Sequence, residues 1–196
     1  MKNEEIQKEL DNIKSNFFDE ITYRLSAIQR YNTRHFVHSE SVLEHTGAVV
    51  LISTVISDYF NEIGIKNNTE LVMKSAVFHD APEVISGDLP HNAKYQHGKL
   101  SDDLRKSLTE FEDYTLSHLI SKLPKEMMTK YLKIYVEYKE KKSLESKIVK
   151  LGDFMSVILY SEREMGLGNN NIYIERDNSK ARFYKLFDEI MSEYNK

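Results

Sequence analysis

Apolar residues recur every three or four positions along this chain, in one long stretch after another, and that spacing commits it to helices. Ile6, Leu10, Ile13, Phe17, Ile21 and Leu25 trace the first stripe. It predicts a helix over residues 3–28 with those side chains facing a core. A second helix is expected over 41–62, along Val42, Val49, Ile52, Val55, Ile56 and Phe60. A third carries Leu71, Val72, Ser75, Ala76 and Phe78 toward His79, with Thr69 as its expected cap. Further helices are expected from the Ser101-Asp102-Asp103 cluster to Leu123, from Pro124 through Tyr138, and from Asp177 to Tyr194. Another runs from Ser143 to Met165, with Ile148, Leu151, Met155, Ile158 and Leu159 as its buried stripe. The 196 residues include 7 glycines and 3 prolines, so long helices with few turns between them follow. No repeat, low-complexity stretch or linker divides the chain. Its length suits a single domain over residues 1–196 with a full core.

Composition narrows the function classes. The chain has no cysteine, which excludes a disulfide framework and a Cys-based zinc site and fits a reducing cytoplasm. Any metal must be held by histidines and carboxylates. The net charge of −4 provides no overall basic field, which argues against long nucleic acid as a partner. The polar start Met1-Lys2-Asn3-Glu4-Glu5-Ile6 does not read as a signal peptide, and no apolar run is long enough to span a bilayer. The expectation is a cytoplasmic protein without a membrane partner. Met127, Met128, Tyr131, Tyr135 and Tyr138 read as core or subunit contact, which leaves room for a homodimer or higher homo-oligomer.

Residues 76–90 concentrate the chemistry. His79 and Asp80 end an apolar helical run, Glu83 follows about one turn later, and Asp88 comes just after Gly87. If the helix continues, Glu83 shares a face with His79 and Asp80. By itself this is also how an ordinary helix ends, in polar residues and a glycine. Two other residues can join the group. His45 lies on the apolar stripe of the second helix, between Val42 and Val49, as either a hydrogen-bonded core residue or a ligand. Asp153 is bracketed by Val149 and Val157. A carboxylate on such a face must be paired, with Lys147 or Lys150 as candidates, or must coordinate a metal.

His45, His79, Asp80 and Asp153 thus stand on three predicted helices. Two imidazoles and two carboxylates suit one divalent transition metal ion, Mn2+, Co2+, Fe2+ or Zn2+, with positions left for water and substrate. Such an ion can hold a phosphoryl oxygen. Glu83 is then placed to accept a proton from water, and Asp88 to orient the water or the leaving oxygen. The polar segment 29–40, with Arg30, Arg34, Tyr31 and Phe36, can receive an anionic, ring-bearing ligand or be an ordinary solvated connection. Lys94 lies in a second polar loop downstream of the carboxylates.

The ordered set His45, His79-Asp80 and Asp153 resembles the signature of the HD-domain phosphohydrolases. It is most similar to their bacterial 5′-deoxynucleotidase branch. The resemblance is carried by Arg30-Tyr31, Ser41-Val42-Leu43-Glu44-His45-Thr46, His79-Asp80-Ala81-Pro82-Glu83, Gly87-Asp88-Leu89-Pro90, Lys94, and Lys147-Ile148-Val149-Lys150 before Asp153. It implies an all-α helical bundle with a metal site between helices and hydrolysis of a nucleoside 5′-phosphate ester. His45, His79, Asp80 and Asp153 would be the ligands, Glu83 and Asp88 would handle the water, and Arg30, Tyr31 and Lys94 would meet the nucleotide substrate. One position departs from the branch, which tends to place Trp after the arginine where this chain has Tyr31. Three alternatives remain open beside it: a deoxynucleoside triphosphate triphosphohydrolase like small phage-associated relatives, hydrolysis of a signalling nucleotide, and a nucleotide-binding protein without turnover.

Overall fold

The computed structural model describes residues 3–89 and 99–194, and they form an all-α fold. Among the described residues the β-type pairing is one isolated antiparallel bridge, Gln29 with Ser41. The chain makes two compact units, each discontinuous in sequence. One comprises Met1–Arg34, Glu40–Leu43 and Asp80–Lys133, and the other His35–Ser39, Glu44–His79 and Ile134–Lys196.

In the first unit, the expected N-terminal helix runs as Asn3–Ile13, a π-helical stretch Lys14–Tyr23, and Arg24–Ala27. Ile13, Phe17 and Leu25 are buried, but Ile6 and Leu10 are 40% and 51% exposed. Periodicity marks the apolar face of a helix, not whether another element covers it. Lys122 Nζ reaches Glu20 Oε2 at 2.8 Å, and this ammonium holds the Glu20 carboxyl below its ordinary pKa. The next long helix begins at Lys99, before the expected Ser101-Asp102-Asp103 cap, and ends at Ile120. Val42 N donates to Ile28 O and Arg30 N to Glu40 O, both at 2.9 Å, which closes the base of the loop between them.

In the second unit, Val42–Glu62, Thr69–Phe78, Leu144–Gly166 and Tyr173–Tyr194 are the main helices. Val49, Phe60, Val72, Ala76, Ile148, Val149, Leu151 and Ile190 form its core. Full burial of each larger aliphatic or aromatic side chain there stabilises the fold by about 1.5–3 kcal/mol. The cap of Thr69–Phe78 is Asn68, whose side chain accepts from Leu71 N at 3.1 Å. Thr69 instead turns its hydroxyl toward Asp58 Oδ1, 3.0 Å away. Ser143, expected as the first residue of its helix, instead caps Leu144–Gly166, and the last helix starts four residues earlier than expected, at Tyr173. Val55 and Leu159, placed on buried stripes by their spacing, are 61% and 51% exposed.

The end of Leu144–Gly166 organises a loop. Gly168 takes φ +94°, a left-handed turn that favours glycine, and Asn169 N then donates back to Glu164 O at 3.0 Å. That turn brings Asn169 Nδ2 to Glu164 Oε2 at 2.9 Å. The fully buried Glu164 carboxylate also accepts from Val37 N at 2.9 Å and His38 N at 2.8 Å. Tyr160 OH donates to His38 O at 2.8 Å. Segment 35–39 is therefore fastened by side chains of one helix and its cap. Burial pushes the Glu164 carboxyl up, but the hydrogen bonds from Asn169, Val37 and His38 prevail and lower it. A lowered folded-state pKa means stability that is present above the unfolded value, near the ordinary 4.5, and is lost as pH falls through the folded value. Glu164→Gln is expected to cost about 1–3 kcal/mol at pH 7, because an amide cannot accept at both oxygens. The gap from wild type should narrow below pH 4.5. Urea denaturation of both proteins at pH 7 and at acid pH checks this; equal stabilities at pH 7, or a gap that widens with acid, would remove Glu164 from this role.

Candidate metal centre

Three chain segments of the second unit bring their donors together. His45 sits in the first turns of Val42–Glu62 and is fully buried. His79 follows the last residue of Thr69–Phe78 directly and is 7% exposed. Asp153 lies midway along Leu144–Gly166. His45, His79 and Asp153 each offer one ligand atom, all within 4.8 Å of one another. Gly152 makes this possible. A Cβ there would overlap Ser53 Oγ and lie 3.2 Å from the Ser53 Cβ and backbone N. Helices Val42–Glu62 and Leu144–Gly166 thus meet at a point that any larger residue would push apart.

The donor set fits a divalent cation. His45 Nε2 is 3.4 Å from His79 Nε2 and 3.2 Å from Asp153 Oδ1. Ligands about 2.0–2.2 Å from one ion stand roughly 3–3.5 Å apart at right or tetrahedral angles. Each imidazole is held through its other nitrogen: His79 Nδ1 lies 2.7 Å from Ala76 O and His45 Nδ1 3.1 Å from Ser156 Oγ. A carbonyl only accepts, so His79 carries its hydrogen on Nδ1 and leaves Nε2 bare, as metal-binding histidines do. Asp153 divides its oxygens, with Oδ2 at 2.5 Å from Lys150 Nζ and Oδ1 toward His45. The buried pairing and the ligand reading of Asp153 therefore describe opposite sides of one carboxylate. Burial pushes the Asp153 carboxyl up, but the Lys150 ammonium and the hydrogen bond from His45 hold it well below the usual carboxylate range. Lys147, the other candidate partner, turns to Glu189 and Glu193 at 3.1 and 2.7 Å.

Asp80 is half-buried, follows His79 in the chain and is not part of the three-donor group. The expectation that Glu83 continues the same helix is corrected. The helix ends at Phe78, and Glu83 opens a separate short helix, Glu83–Ser86, with Glu83 N donating to Asp80 O at 3.0 Å. Continuing the helix would require residue 82 to donate to Phe78 O, and Pro82 has no N–H. Glu83 is buried, 8% exposed.

The other predicted residues of the first unit form their own arrangement. Asp88 Oδ2 accepts from Tyr31 N at 2.7 Å, and Asp88 O accepts from Asn32 Nδ2 at 3.1 Å. Tyr31 has φ +54°, uncommon for a residue with a Cβ. Asp88 thus fastens the backbone at a strained position. Arg30 Nη1 pairs with Glu40 Oε2 at 2.9 Å, and the Arg30 guanidinium lies 5.0 Å from the Tyr31 ring centroid. Lys94 lies outside the described residues. Ser156 and Glu164 were not singled out by the sequence, although Glu164 follows the buried Val157 and Ser161 at helical spacing, an unusual face for a charge.

A model of YfbR-like 5′-deoxynucleotidases matches residues 16–193. The chain is 30% identical over 182 residues to a 5′-deoxynucleotidase of Erwinia tasmaniensis, covering 92% of this chain and 87% of that protein. It is 31% identical over 172 residues to a 5′-deoxynucleotidase of Yersinia pestis, covering 87% and 82%. Its fold is similar to that of an HD-domain phosphohydrolase from Listeria innocua, with TM-score 0.74 and 24% identity over 90% of this chain and 82% of that one. It is also similar in fold to the cyanophage S-2L HD phosphohydrolase bound to dA and one catalytic Zn2+ ion, with TM-score 0.55 and 16% identity over 88% and 91%. With the family model matching from residue 16 to residue 193, the chain belongs to the YfbR-like 5′-deoxynucleotidase family.

Proposed function

We infer that this protein is a metal-dependent phosphohydrolase that removes phosphate from deoxyribonucleoside 5′-monophosphates. The observation that carries the reading is the convergence of His45 Nε2, His79 Nε2 and Asp153 Oδ1, with each imidazole anchored through Nδ1. Family membership supports the substrate class. His45, His79 and Asp153 would hold one divalent ion, with Asp80, the next residue in the chain, as a fourth ligand. The ion supplies Lewis acidity toward a phosphoryl oxygen and a water of lowered pKa.

The chain's own residues do the rest. Water adds to phosphorus, the bond from phosphorus to the 5′ oxygen breaks, and the proton given up by the water ends on the departing 5′ oxygen. Glu83 accepts the proton of the water as general base. Asp88 orients the water or the leaving oxygen and fastens the Tyr31 backbone. Arg30 and Lys94 offset phosphate charge, with Arg30 also committed to Glu40. The Tyr31 ring lies against the sugar. We also propose that the protein is a single domain, since the chain passes back and forth between its two units several times, and that it acts in the cytoplasm, in keeping with a sequence without cysteine. Among the described residues no helix is long and apolar enough to cross a membrane.

The test is to incubate metal-loaded protein with paired ribo- and deoxyribonucleoside mono- and triphosphates and identify the products by chromatography. Inorganic phosphate and nucleoside are expected from the monophosphates. Deoxy substrates should be favoured about ten- to a hundred-fold in kcat/KM, because a pocket that merely packs against the sugar rejects an added hydroxyl weakly. Tyr31→Ala should reduce that preference. Inorganic triphosphate from triphosphates, with monophosphates untouched, would replace the reading by a triphosphohydrolase.

A further inference from the structure

The two histidines of the metal centre are anchored by chemically different groups. His79 Nδ1 faces a carbonyl, Ala76 O, whereas His45 Nδ1 faces a hydroxyl, Ser156 Oγ. A carbonyl only accepts, and a hydroxyl accepts or donates. The difference acquires meaning from what His45 Nε2 meets on its other side. Both of the atoms named there, His79 Nε2 at 3.4 Å and Asp153 Oδ1 at 3.2 Å, are acceptors when His79 is neutral with its hydrogen on Nδ1. With a hydrogen on His45 Nε2, Nδ1 is bare and can take a hydrogen bond from Ser156. With a cation at the cluster, Nε2 must present its lone pair. In that tautomer the ring hydrogen is on Nδ1, and Ser156 accepts it. A hydroxyl serves both arrangements without moving the ring, and an apolar side chain serves neither.

We propose that Ser156 is the positioning residue for His45, its hydroxyl holding the imidazole in the orientation that offers Nε2 to a divalent cation whether or not the cation is bound. Ser156 is buried, 3% exposed, and stands one turn beyond Asp153 on Leu144–Gly166. One helix face therefore supplies both a carboxylate ligand and the support of a histidine ligand contributed by another helix. The proposal rests on the metal-centre reading above. It adds a residue whose loss should weaken cation affinity while leaving the chain folded.

The experiment is calorimetric titration of chelator-stripped protein with Zn2+ and with Mn2+. It compares wild type, Ser156→Ala, Ser156→Thr and His79→Ala, with melting temperatures of all four in the stripped state. Loss of a hydrogen-bond partner of a ligand typically weakens metal binding about 10–100-fold. Ser156→Ala is expected to fall in that range while remaining cooperatively folded when stripped, with a melting temperature lowered by a few degrees because the buried His45 Nδ1 loses its partner. Ser156→Thr, which keeps the hydroxyl, should bind near wild type. Should the threonine not fold, the alanine result decides. Wild-type affinity in Ser156→Ala, with binding lost in His79→Ala, would overturn the role of Ser156 and leave the metal centre standing. A folded threonine variant as weak as the alanine would also overturn it, because packing and not the hydroxyl would then be at work. No binding by wild type would overturn the metal centre itself, and this role with it.

Discussion

Asp153→Ala is expected to leave the protein without tightly bound divalent metal and to reduce phosphate release to background. Asp153 Oδ1 stands 3.2 Å from His45 Nε2, on the side of the carboxylate turned away from Lys150. The substitution therefore removes a donor and not only a surface charge. Where loss of an outer partner weakens metal binding about 10–100-fold, loss of a direct ligand should exceed the upper figure. The same change is informative for stability. An ion that binds only the folded state stabilises it by mass action, by about 2.7 kcal/mol at a hundredfold excess over Kd. Chelation should lower the melting temperature of wild type and leave that of Asp153→Ala where it was. Elemental analysis after reconstitution checks the first effect, and melting with and without chelator the second. Wild-type metal content in Asp153→Ala would take Asp153 out of the ligand set.

Glu83→Gln should retain metal and fold and lose turnover. Glu83 is buried at the start of Glu83–Ser86. Glutamine keeps the shape of that side chain and lacks a carboxylate to take up a proton. General-base assistance contributes typically about 10²–10⁴-fold, and a loss of that size in kcat is expected. Single-turnover rates in metal-replete protein are the measurement. A kcat near wild type would assign the proton of the water to another group.

The stripes of apolar residues made the helices legible, and adjacency in sequence made His79-Asp80 legible. Both are local signals. The exposed Ile6, Leu10, Val55 and Leu159 show where local signals stop: a stripe records which face is apolar, and its cover depends on elements far away in sequence. The π-helical stretch Lys14–Tyr23 could not be read from spacing, because residues four apart, such as Ile13, Phe17 and Ile21, stay near one face in either kind of helix. Pro82 was visible, and its missing N–H was enough to show that the helix could not run on through Glu83, though not to place its end at Phe78. His45 and Asp153 were visible as polar residues on apolar faces, but their convergence depends on Gly152, whose neighbour Ser53 lies on another helix. Glu164 was hidden for a similar reason, since its partners Val37 and His38 offer backbone N–H groups that carry no residue-type signal.

The most direct measurement is phosphate release from a deoxyribonucleoside 5′-monophosphate while stripped protein is titrated with Mn2+ or Co2+. With His45, His79 and Asp153 as one centre, the rate should rise from background and level off at about one ion per chain. Equal rates with and without verified metal, or no phosphate at any metal concentration from any deoxyribonucleoside monophosphate, would contradict it.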